Sequence, residues 1–126
     1  MESLKKCPFC NPSEEEIILK NDLCYARYDK YPVNKGHLLI IPFRHFENYF
    51  DATREEKVAF IELIDKAKDF LDKKFHPDGY NIGINIGKSA GQTIMHLHIH
   101  LIPRYKEDME NPEGGVRGVI PEKQKY

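Results

Sequence analysis

The chain lacks any long apolar run, and this excludes a whole class of proteins. No segment approaches the roughly 18 apolar residues that a membrane-spanning helix needs, and the first seven residues hold no apolar core of signal-peptide length. The chain also lacks an excess of one charge, since 19 Lys and Arg residues balance 20 Asp and Glu residues. No overall field attracts nucleic acid or an anionic membrane. We therefore predict a cytoplasmic protein that binds neither.

Cysteine is scarce too, with three residues in the chain. An odd number of cysteines without an export signal favours reduced thiols or metal ligands over a disulfide framework. The length of 126 residues suits one domain with a real core and leaves no room for a second. We predict a single domain over residues 1–126, with an irregular segment at 1–13 and a polar tail rich in Gly and Pro at 105–126.

Three histidines at alternate positions, His96, His98 and His100, are the most informative feature of the sequence. In a β-strand, alternate side chains face opposite ways, so all three imidazoles would share one face and Leu97 and Ile99 the other. At about 3.3 Å per residue the outer two lie about 13 Å apart, too far for one metal ion to bind all three. At least two separate roles are therefore implied. The alternative is a half-exposed strand that carries histidines by chance, which is disfavoured because three of only six histidines fall within five residues.

The rest of the chain predicts further strands and one helix. Asn21-Asp22 separates two strand-like runs in the manner of a hairpin turn. Thr53 has the spacing of a helix N-cap with Glu56 in a capping box, and Pro77 and Gly79 end the helix. Besides the histidine run, the predicted strands cover residues 16–20, 23–28, 38–41 and 80–86. The apolar stripe predicted for the helix comprises Val58, Ile61, Ile64, Ala67, Leu71 and Phe75. Short connections with one late helix predict an α+β fold, an antiparallel sheet of about five strands with one long helix packed on it.

The histidine run and its surroundings resemble the histidine triad (HIT) family of nucleotide hydrolases and transferases. His96 to Ile102 reads His-φ-His-φ-His-φ-φ, where φ is apolar, and Pro103-Arg104 follows. The similarity extends through residues 85–93 and 36–42 at the spacings the family uses. Cys7-Pro8-Phe9-Cys10 and the ending at residues 114–121 are most similar to the bacterial and archaeal members, which have a Cys-x-x-Cys zinc site.

The resemblance implies a nucleoside-phosphate hydrolase that acts at the α-phosphate through a nucleotidyl-histidine intermediate. His98 is then the nucleophile, while His100 and His37 border the phosphate. Asp29 takes the place of the ribose-binding acid. The phosphate or leaving-group side would involve Asn85, Gln92 and Thr93. A symmetric homodimer is also implied, formed by the helix and an edge strand.

The substrate stays open between several classes. Tryptophan is absent from the chain, and with it the tryptophan-containing carboxyl end of the phosphoramidase branch. This departure favours dinucleoside polyphosphates, such as diadenosine tetraphosphate, over adenosine phosphoramidates. A third reading is a non-catalytic, zinc-stabilised nucleotide-binding protein, which the intact His98 disfavours.

The Cys7 and Cys10 pair allows three interpretations. A redox pair normally begins a helix after a strand, whereas this pair leads into Asn11-Pro12. Two thiolates supply half of a tetrahedral zinc site, so histidines must complete it. The resemblance implies that His45 and His96 do so, which gives a structural zinc and frees His98 and His100 for phosphate. The third interpretation is a pair of unliganded structural cysteines.

Some of these residues also have simpler interpretations. Gly87-Lys88-Ser89 imitates the end of a P-loop, but Ile82 stands where that loop needs a glycine. We expect instead that the amides of this glycine-bearing loop approach a phosphate. His37 could be a histidine satisfied at a strand start, and Asp29 a solvated turn acid. Cys24, among apolar neighbours, is most simply a buried small side chain.

Overall fold

The structure is a computed structural model that describes residues 7–126 of the chain. Residues 1–6 of the predicted amino-terminal segment lie outside the described residues. Within the described part, no helix combines the length and apolar character needed to cross a membrane.

Helix α1 spans Arg54–Phe75 and has the predicted ends. The Thr53 hydroxyl accepts a hydrogen bond from the Glu56 amide, and the Glu56 carboxylate accepts one from the Thr53 amide. This is the capping box, and it satisfies two amides that the helix itself leaves unpaired. At the other end, His76 adopts the left-handed conformation with φ of 54°, directly before Pro77.

Within residues 7–126, five antiparallel strands form one sheet, which confirms the predicted α+β fold. The strands are β1 (Leu19–Lys20), β2 (Cys24–Tyr28), β3 (Leu38–Pro42), β4 (Gly79–Gly83) and β5 (Ile99–Arg104). Their order in the sheet is β1-β2-β3-β5-β4, so β1 and β4 form the edges. The central strands β3 and β5 pair through Leu39 and His100.

The sheet buries both faces. On one side, α1 packs through Leu63, Ala67 and Leu71 against alternate residues of the central strands, such as Ile40 and Leu101. The opposite face carries Tyr25, Leu39 and Ile41, and Phe9 of the amino-terminal segment packs on them. That segment therefore serves as the second cover of the sheet.

The histidine strand is shorter than the alternation predicts. Strand β5 begins only at Ile99, so His96 and His98 precede it. The Leu97 amide donates to the Phe46 carbonyl at 2.7 Å, and this bond ties the chain to the loop after β3. Leu97 and Ile99 are still buried against the helix side, as the alternation requires. The predicted strand is therefore wrong in its start, because it includes only His100 of the three histidines. The predicted alternation holds, since His96 and His98 both contact Phe9 on the face opposite the helix.

The other predicted bounds also need adjustment. Glu14–Glu16 form a 3-10 turn, which shortens the first strand, and the fourth strand ends at Gly83 rather than 86. The buried face of α1 includes Phe60 and Leu63, whereas Val58 and Ile61 of the predicted stripe are 48% and 61% exposed. The helix thus has a second apolar face that the described chain leaves uncovered.

The tail folds back onto the sheet. It forms 3-10 turns at Gly115–Val119 and Pro121–Lys123. The first turn contacts β4, and a Cβ added at Gly115 would stand 3.5 Å from the Asn81 amide nitrogen. The tail therefore forms part of the surface beside this edge strand.

Candidate active site

Two cysteines and two histidines converge at the start of the described chain. The His45 Nδ1 atom lies 3.7 Å from the Cys7 Sγ atom and 3.1 Å from the Cys10 Sγ atom. The His96 Nδ1 atom lies 3.5 and 3.6 Å from the same two sulfurs, and 3.0 Å from the His45 Nδ1 atom. Four donors from three distant parts of the sequence thus surround one point.

These four donors fit a zinc ion. Zn–S bonds of about 2.3 Å and Zn–N bonds of about 2.0 Å place tetrahedral neighbours roughly 3.3–3.8 Å apart, close to the observed spacings. The buried His96 Nε2 atom donates to the Pro42 carbonyl at 2.8 Å, so its Nδ1 atom carries the lone pair that faces the sulfurs. Burial and then the neighbouring Cys7 raise the pKa of Cys10 to about 11, so a cation is needed to hold the Cys10 sulfur as a thiolate.

The loop after β3 carries His45 and is braced against the helix. Arg44 forms a bidentate pair with Glu56, with nitrogen–oxygen distances of 3.0 and 2.8 Å. Glu56 is 4% exposed, and the Arg44 guanidinium beside it lowers the pKa of its carboxyl. The capping box of α1 therefore also fixes the segment that presents His45.

The middle histidine is oriented by the chain itself. The His98 Nδ1 atom lies 2.8 Å from the His96 carbonyl oxygen, which only accepts hydrogen bonds. Nδ1 must therefore carry the proton, and Nε2 keeps a lone pair. His98 is partly exposed, and its ring lies 5.1 Å from that of Phe9 and 5.2 Å from that of His100, centroid to centroid. This is the tautomer that a nucleophilic imidazole needs.

A chain of hydrogen bonds sets the tautomer of His100 as well. The Val33 amide donates to the His37 Nδ1 atom at 3.0 Å, so the neutral His37 ring carries its proton on Nε2. That Nε2–H group lies 2.9 Å from the His100 Nδ1 atom and 3.4 Å from an Asp29 carboxylate oxygen. His100 accepts at Nδ1 and therefore presents an Nε2–H donor, the group that a phosphate oxygen accepts from.

Burial keeps both of these rings neutral. It lowers the pKa of His37, against the opposing influence of Asp29. It also lowers the pKa of His100 to about 4, helped by His98 and His37. Near neutral pH the pair is thus uncharged, which the tautomer chain requires.

Four of the predicted residues line one cavity of about 300 Å³: Asp29, His37, Asn85 and His100. Asp29 also accepts a hydrogen bond from the Tyr31 amide at 2.9 Å, so it is both a turn acid and part of the cavity wall. The volume is at the lower end of the range typical of small-molecule sites.

Gln92 and Thr93 are placed elsewhere. The buried Gln92 amide donates to the carbonyls of Glu47 and Ile94 and accepts from the Gly87 amide. Both of its N–H groups are used, so it braces the loop and offers no donor to the His37 cavity. The exposed Thr93 lines another cavity, beside Cys7 and His45.

The glycine-bearing loop uses several of its own amides. Gly87 and Gly91 have φ of 90° and 95°, and the loop turns tightly between them. The Ala90 and Gln92 amides donate to the Gly87 carbonyl, and the Gly91 amide to the Lys88 carbonyl. These three amides hold the loop in shape, so they are not available to a phosphate. The expected approach of the remaining loop amides to a phosphate stays a prediction.

The family follows from a comparison with known sequences. The HIT domain profile matches residues 11–107, most of the chain. The chain belongs to the HIT domain family.

Named relatives and a solved structure resemble this HIT protein over most of its length. The AP-4-A phosphorylase of Mycobacterium tuberculosis is 35% identical over 99 residues, which cover 76% of this chain and 51% of that protein. The bis(5'-adenosyl)-triphosphatase of Dictyostelium discoideum is 37% identical over 98 residues, covering 78% and 66%. The crystal structure of a Zn-bound histidine triad family protein from Mycobacterium smegmatis has a TM-score of 0.74 at 29% identity, covering 86% and 81%.

Three residues near the site, all outside the part matched by the HIT profile, were not predicted from the sequence. Phe9, between the two cysteines, packs on His98, and Val116 of the tail lines the His37 cavity. The Asp108 carboxylate accepts hydrogen bonds from the Arg104 guanidinium and from the Asn34 side-chain amide. These bonds tie β5 to the loop before His37. The position of Phe9 between the two cysteines could have predicted its burial beside the metal donors. The other two depend on how the tail folds back, which no local pattern reveals.

Proposed function

We propose that the protein hydrolyses dinucleoside polyphosphates, such as diadenosine tetraphosphate, at the α-phosphate through a nucleotidyl group on His98. The observation that carries this is the hydrogen bond from the His98 Nδ1 atom to the His96 carbonyl, which leaves Nε2 free to attack. The similarity to an AP-4-A phosphorylase and to a bis(5'-adenosyl)-triphosphatase supports the substrate class.

The reaction has two steps. In the first, the His98 Nε2 lone pair forms a bond to the α-phosphorus, and the bond from phosphorus to the bridging oxygen breaks. The rest of the substrate, a nucleoside polyphosphate such as ATP, leaves with that electron pair, and the positive charge on the imidazole is stabilised through Nδ1–H by the His96 carbonyl. In the second, water attacks the same phosphorus and loses a proton to solvent, while the Nε2–phosphorus bond breaks and its electron pair returns to Nε2. A nucleoside monophosphate is released and His98 is restored.

The residues of the His37 cavity stabilise charge and hold the substrate. The His100 Nε2–H group donates to a non-bridging α-phosphate oxygen, and His37 keeps His100 in the tautomer that does so. The Asp29 carboxylate accepts from the ribose hydroxyls, and Asn85 binds on the phosphate or leaving-group side. Thr93, which lines a different cavity beside Cys7 and His45, is proposed to contact the leaving group. Gln92 acts indirectly, as the brace of the loop.

The metal centre has a structural role in this proposal. Zinc held by Cys7, Cys10, His45 and His96 has four protein ligands, and a closed tetrahedral site leaves no position for substrate. It ties the amino-terminal segment to the loop after β3 and to the chain before β5. The reaction residues His98 and His100 lie outside this ligand set.

A symmetric homodimer is part of the proposal. The exposed Ile61 of α1 and Ile82 of the edge strand β4 lie on the helix side of the sheet, where Ile82 pairs with the buried Leu101. A second copy that covers both would bury the apolar face and the free edge of β4 together. The protein is proposed to act in the cytoplasm.

Product analysis separates the candidate activities. Purified protein is incubated with diadenosine tetraphosphate or adenosine phosphoramidate, with and without inorganic phosphate, beside His98→Ala as the control. We expect AMP and ATP from the first substrate in water. ADP in place of AMP, only when phosphate is present, identifies a phosphorylase. Faster turnover of the phosphoramidate identifies a phosphoramidase, and binding without turnover of either identifies a nucleotide-binding protein.

A further inference from the structure

Phe9 connects the metal centre with the proposed nucleophile. It stands between the ligands Cys7 and Cys10 in the sequence and is 5% exposed. Its ring lies 5.1 Å from the His98 ring at an interplanar angle of 62°, and 6.0 Å from the His96 ring at 87°. Both are edge-type contacts of the kind that aromatic rings favour.

Phe9 is itself held firmly. The hydroxyl of the fully buried Tyr25 donates to the Phe9 carbonyl at 2.7 Å. The Arg27 guanidinium lies 5.8 Å from the Phe9 ring centroid, within the range of a cation–π contact, and pairs with Glu16 at 3.3 Å. Leu39 and Ile41 of β3 complete the apolar cluster around the ring. The ring therefore provides a fixed surface for its neighbours.

His98 needs such a surface because one hydrogen bond does not hold a ring. The bond from Nδ1 to the His96 carbonyl fixes one atom, and the imidazole precedes β5, outside the regular strand. A partly exposed imidazole with a single partner can tilt about that bond or rotate away from it. Contact with Phe9 on one side and His100 on the other removes this freedom.

We propose that Phe9 is a positioning residue that holds the His98 imidazole so that Nδ1 stays bonded to the His96 carbonyl and Nε2 faces the substrate. The inference rests on the proposed role of His98 as nucleophile. The Cys-x-x-Cys segment then does more than bind a metal: it carries the side chain that aims the reacting nitrogen. Phe9 acts only by holding the His98 ring and takes no part in the bonds that form and break.

The test replaces the ring by an aliphatic side chain of similar bulk. Phe9→Leu is compared with wild type and with Phe43→Leu, since Phe43 is also packed on Tyr25, with ring centroids 5.2 Å apart, and lies outside the proposed site. Phe9→Met, whose flexible side chain fills irregular spaces, replaces Phe9→Leu if that variant does not fold. Each protein is purified with its metal, and zinc per chain is measured first.

Three readouts separate positioning from mere structure. Nitrogen-15 spectra of the histidine rings at pH 8 report the His98 tautomer, and we expect the Nδ1–H form in wild type and Phe43→Leu but a mixture of both forms in Phe9→Leu. Because displacement of a reacting group by about 1 Å costs on the order of 100-fold, we expect kcat to fall 10- to 100-fold in Phe9→Leu with KM within about threefold. Zinc content should equal that of wild type.

Other outcomes overturn the inference. A Phe9→Leu protein with wild-type kcat and an unchanged His98 tautomer shows that the ring positions nothing. Loss of zinc together with the tautomer change makes Phe9 a structural part of the metal centre. If wild type turns over none of the substrates, the proposed function fails, yet the ring spectra still decide whether Phe9 holds His98.

Discussion

His37 and His100 share a hydrogen bond of 2.9 Å between the Nε2 atom of the first and the Nδ1 atom of the second. The Val33 amide decides its direction, because it donates to the other nitrogen of His37. A backbone group of the loop before β3 thus determines which nitrogen of His100 carries the proton facing the cavity. In the proposed reaction, this coupling lets the buried His37, directly before β3, control the donor that His100 of β5 presents to the substrate.

The coupling predicts a difference between two amide substitutions of His37. A glutamine places its amide nitrogen near the position of the lost Nε2 atom and retains a donor to His100, whereas the shorter asparagine reaches only the position of Nδ1. We expect His37→Asn to lower kcat on the order of 100-fold, as loss of one oriented donor does, and His37→Gln to lower it clearly less. Steady-state kinetics on diadenosine tetraphosphate test the order. Equal defects would show that His37 acts only through its bulk.

The tautomers mark the limit of what the sequence can predict. The α+β fold and the capping box at Thr53 were predicted from local patterns and spacing. His45 and His96, the metal donors distant from Cys7 and Cys10, were predicted only from the family resemblance. The start of β5 at Ile99 was not, since the Leu97 amide finds the Phe46 carbonyl, a partner more than 50 residues away along the chain. The engagement of Gln92 by three backbone groups depends in the same way on tertiary contacts.

Acid stability provides a second prediction. The folded-state pKa of His100 is about 4, below the ordinary value of 6.5, so between these pH values the unfolded chain binds more protons. The stability associated with the neutral ring is therefore fully present above pH 6.5 and is lost as pH falls toward 4. Between pH 7 and 4.5, we expect wild type to lose about 2–3 kcal/mol more unfolding free energy than His100→Gln.

Urea unfolding at several pH values measures this difference. His76→Asn is the matched control, because it removes an exposed histidine and keeps a residue suited to the left-handed conformation at the end of α1. That variant should follow wild type throughout the range. Parallel curves for wild type and His100→Gln would mean that the ring titrates normally in the folded protein.

Metal content should depend on Cys7 but not on the third cysteine. Cys7→Ser replaces a thiolate ligand by a weak one, so zinc per chain should fall sharply and the melting temperature should fall with it, as the amino-terminal segment loses its anchor. Cys24 is fully buried in the core, and its sulfur lies 3.4 Å from the Asn21 side-chain oxygen. It does not belong to the group of four candidate metal ligands. Cys24→Ala should therefore keep its zinc. Atomic absorption and thermal melts check both variants, and a fully stable, metal-free Cys7→Ser protein would contradict a structural zinc.

The oligomeric state can be tested at the exposed apolar face. Light scattering at micromolar concentration should give a dimer, since a stable interface buries on the order of 1,200 Å² or more. Ile82→Lys places a charge at the free edge of β4, where the side chain is 51% exposed, and should produce a monomer. Leu23→Lys, at the hairpin beside the opposite edge, is the control and should stay dimeric. A wild-type monomer would rule the dimer out.

The strongest test of the proposed chemistry compares His98 with His100. If His98 forms the bond to phosphorus, His98→Ala should lower kcat by several orders of magnitude and leave nucleotide affinity nearly intact, because the proposed phosphate and ribose contacts come from other residues. His100→Ala removes one donor worth about 3 kcal/mol and should cost on the order of 100-fold while the nucleophile remains. His76→Asn again serves as the control and should keep wild-type turnover.

Rapid acid-free quenching with a substrate labelled at the α-phosphate should trap a base-stable, acid-labile adduct on His98. Turnover of His98→Ala within tenfold of wild type, or an adduct on another residue, would remove His98 from the role of nucleophile.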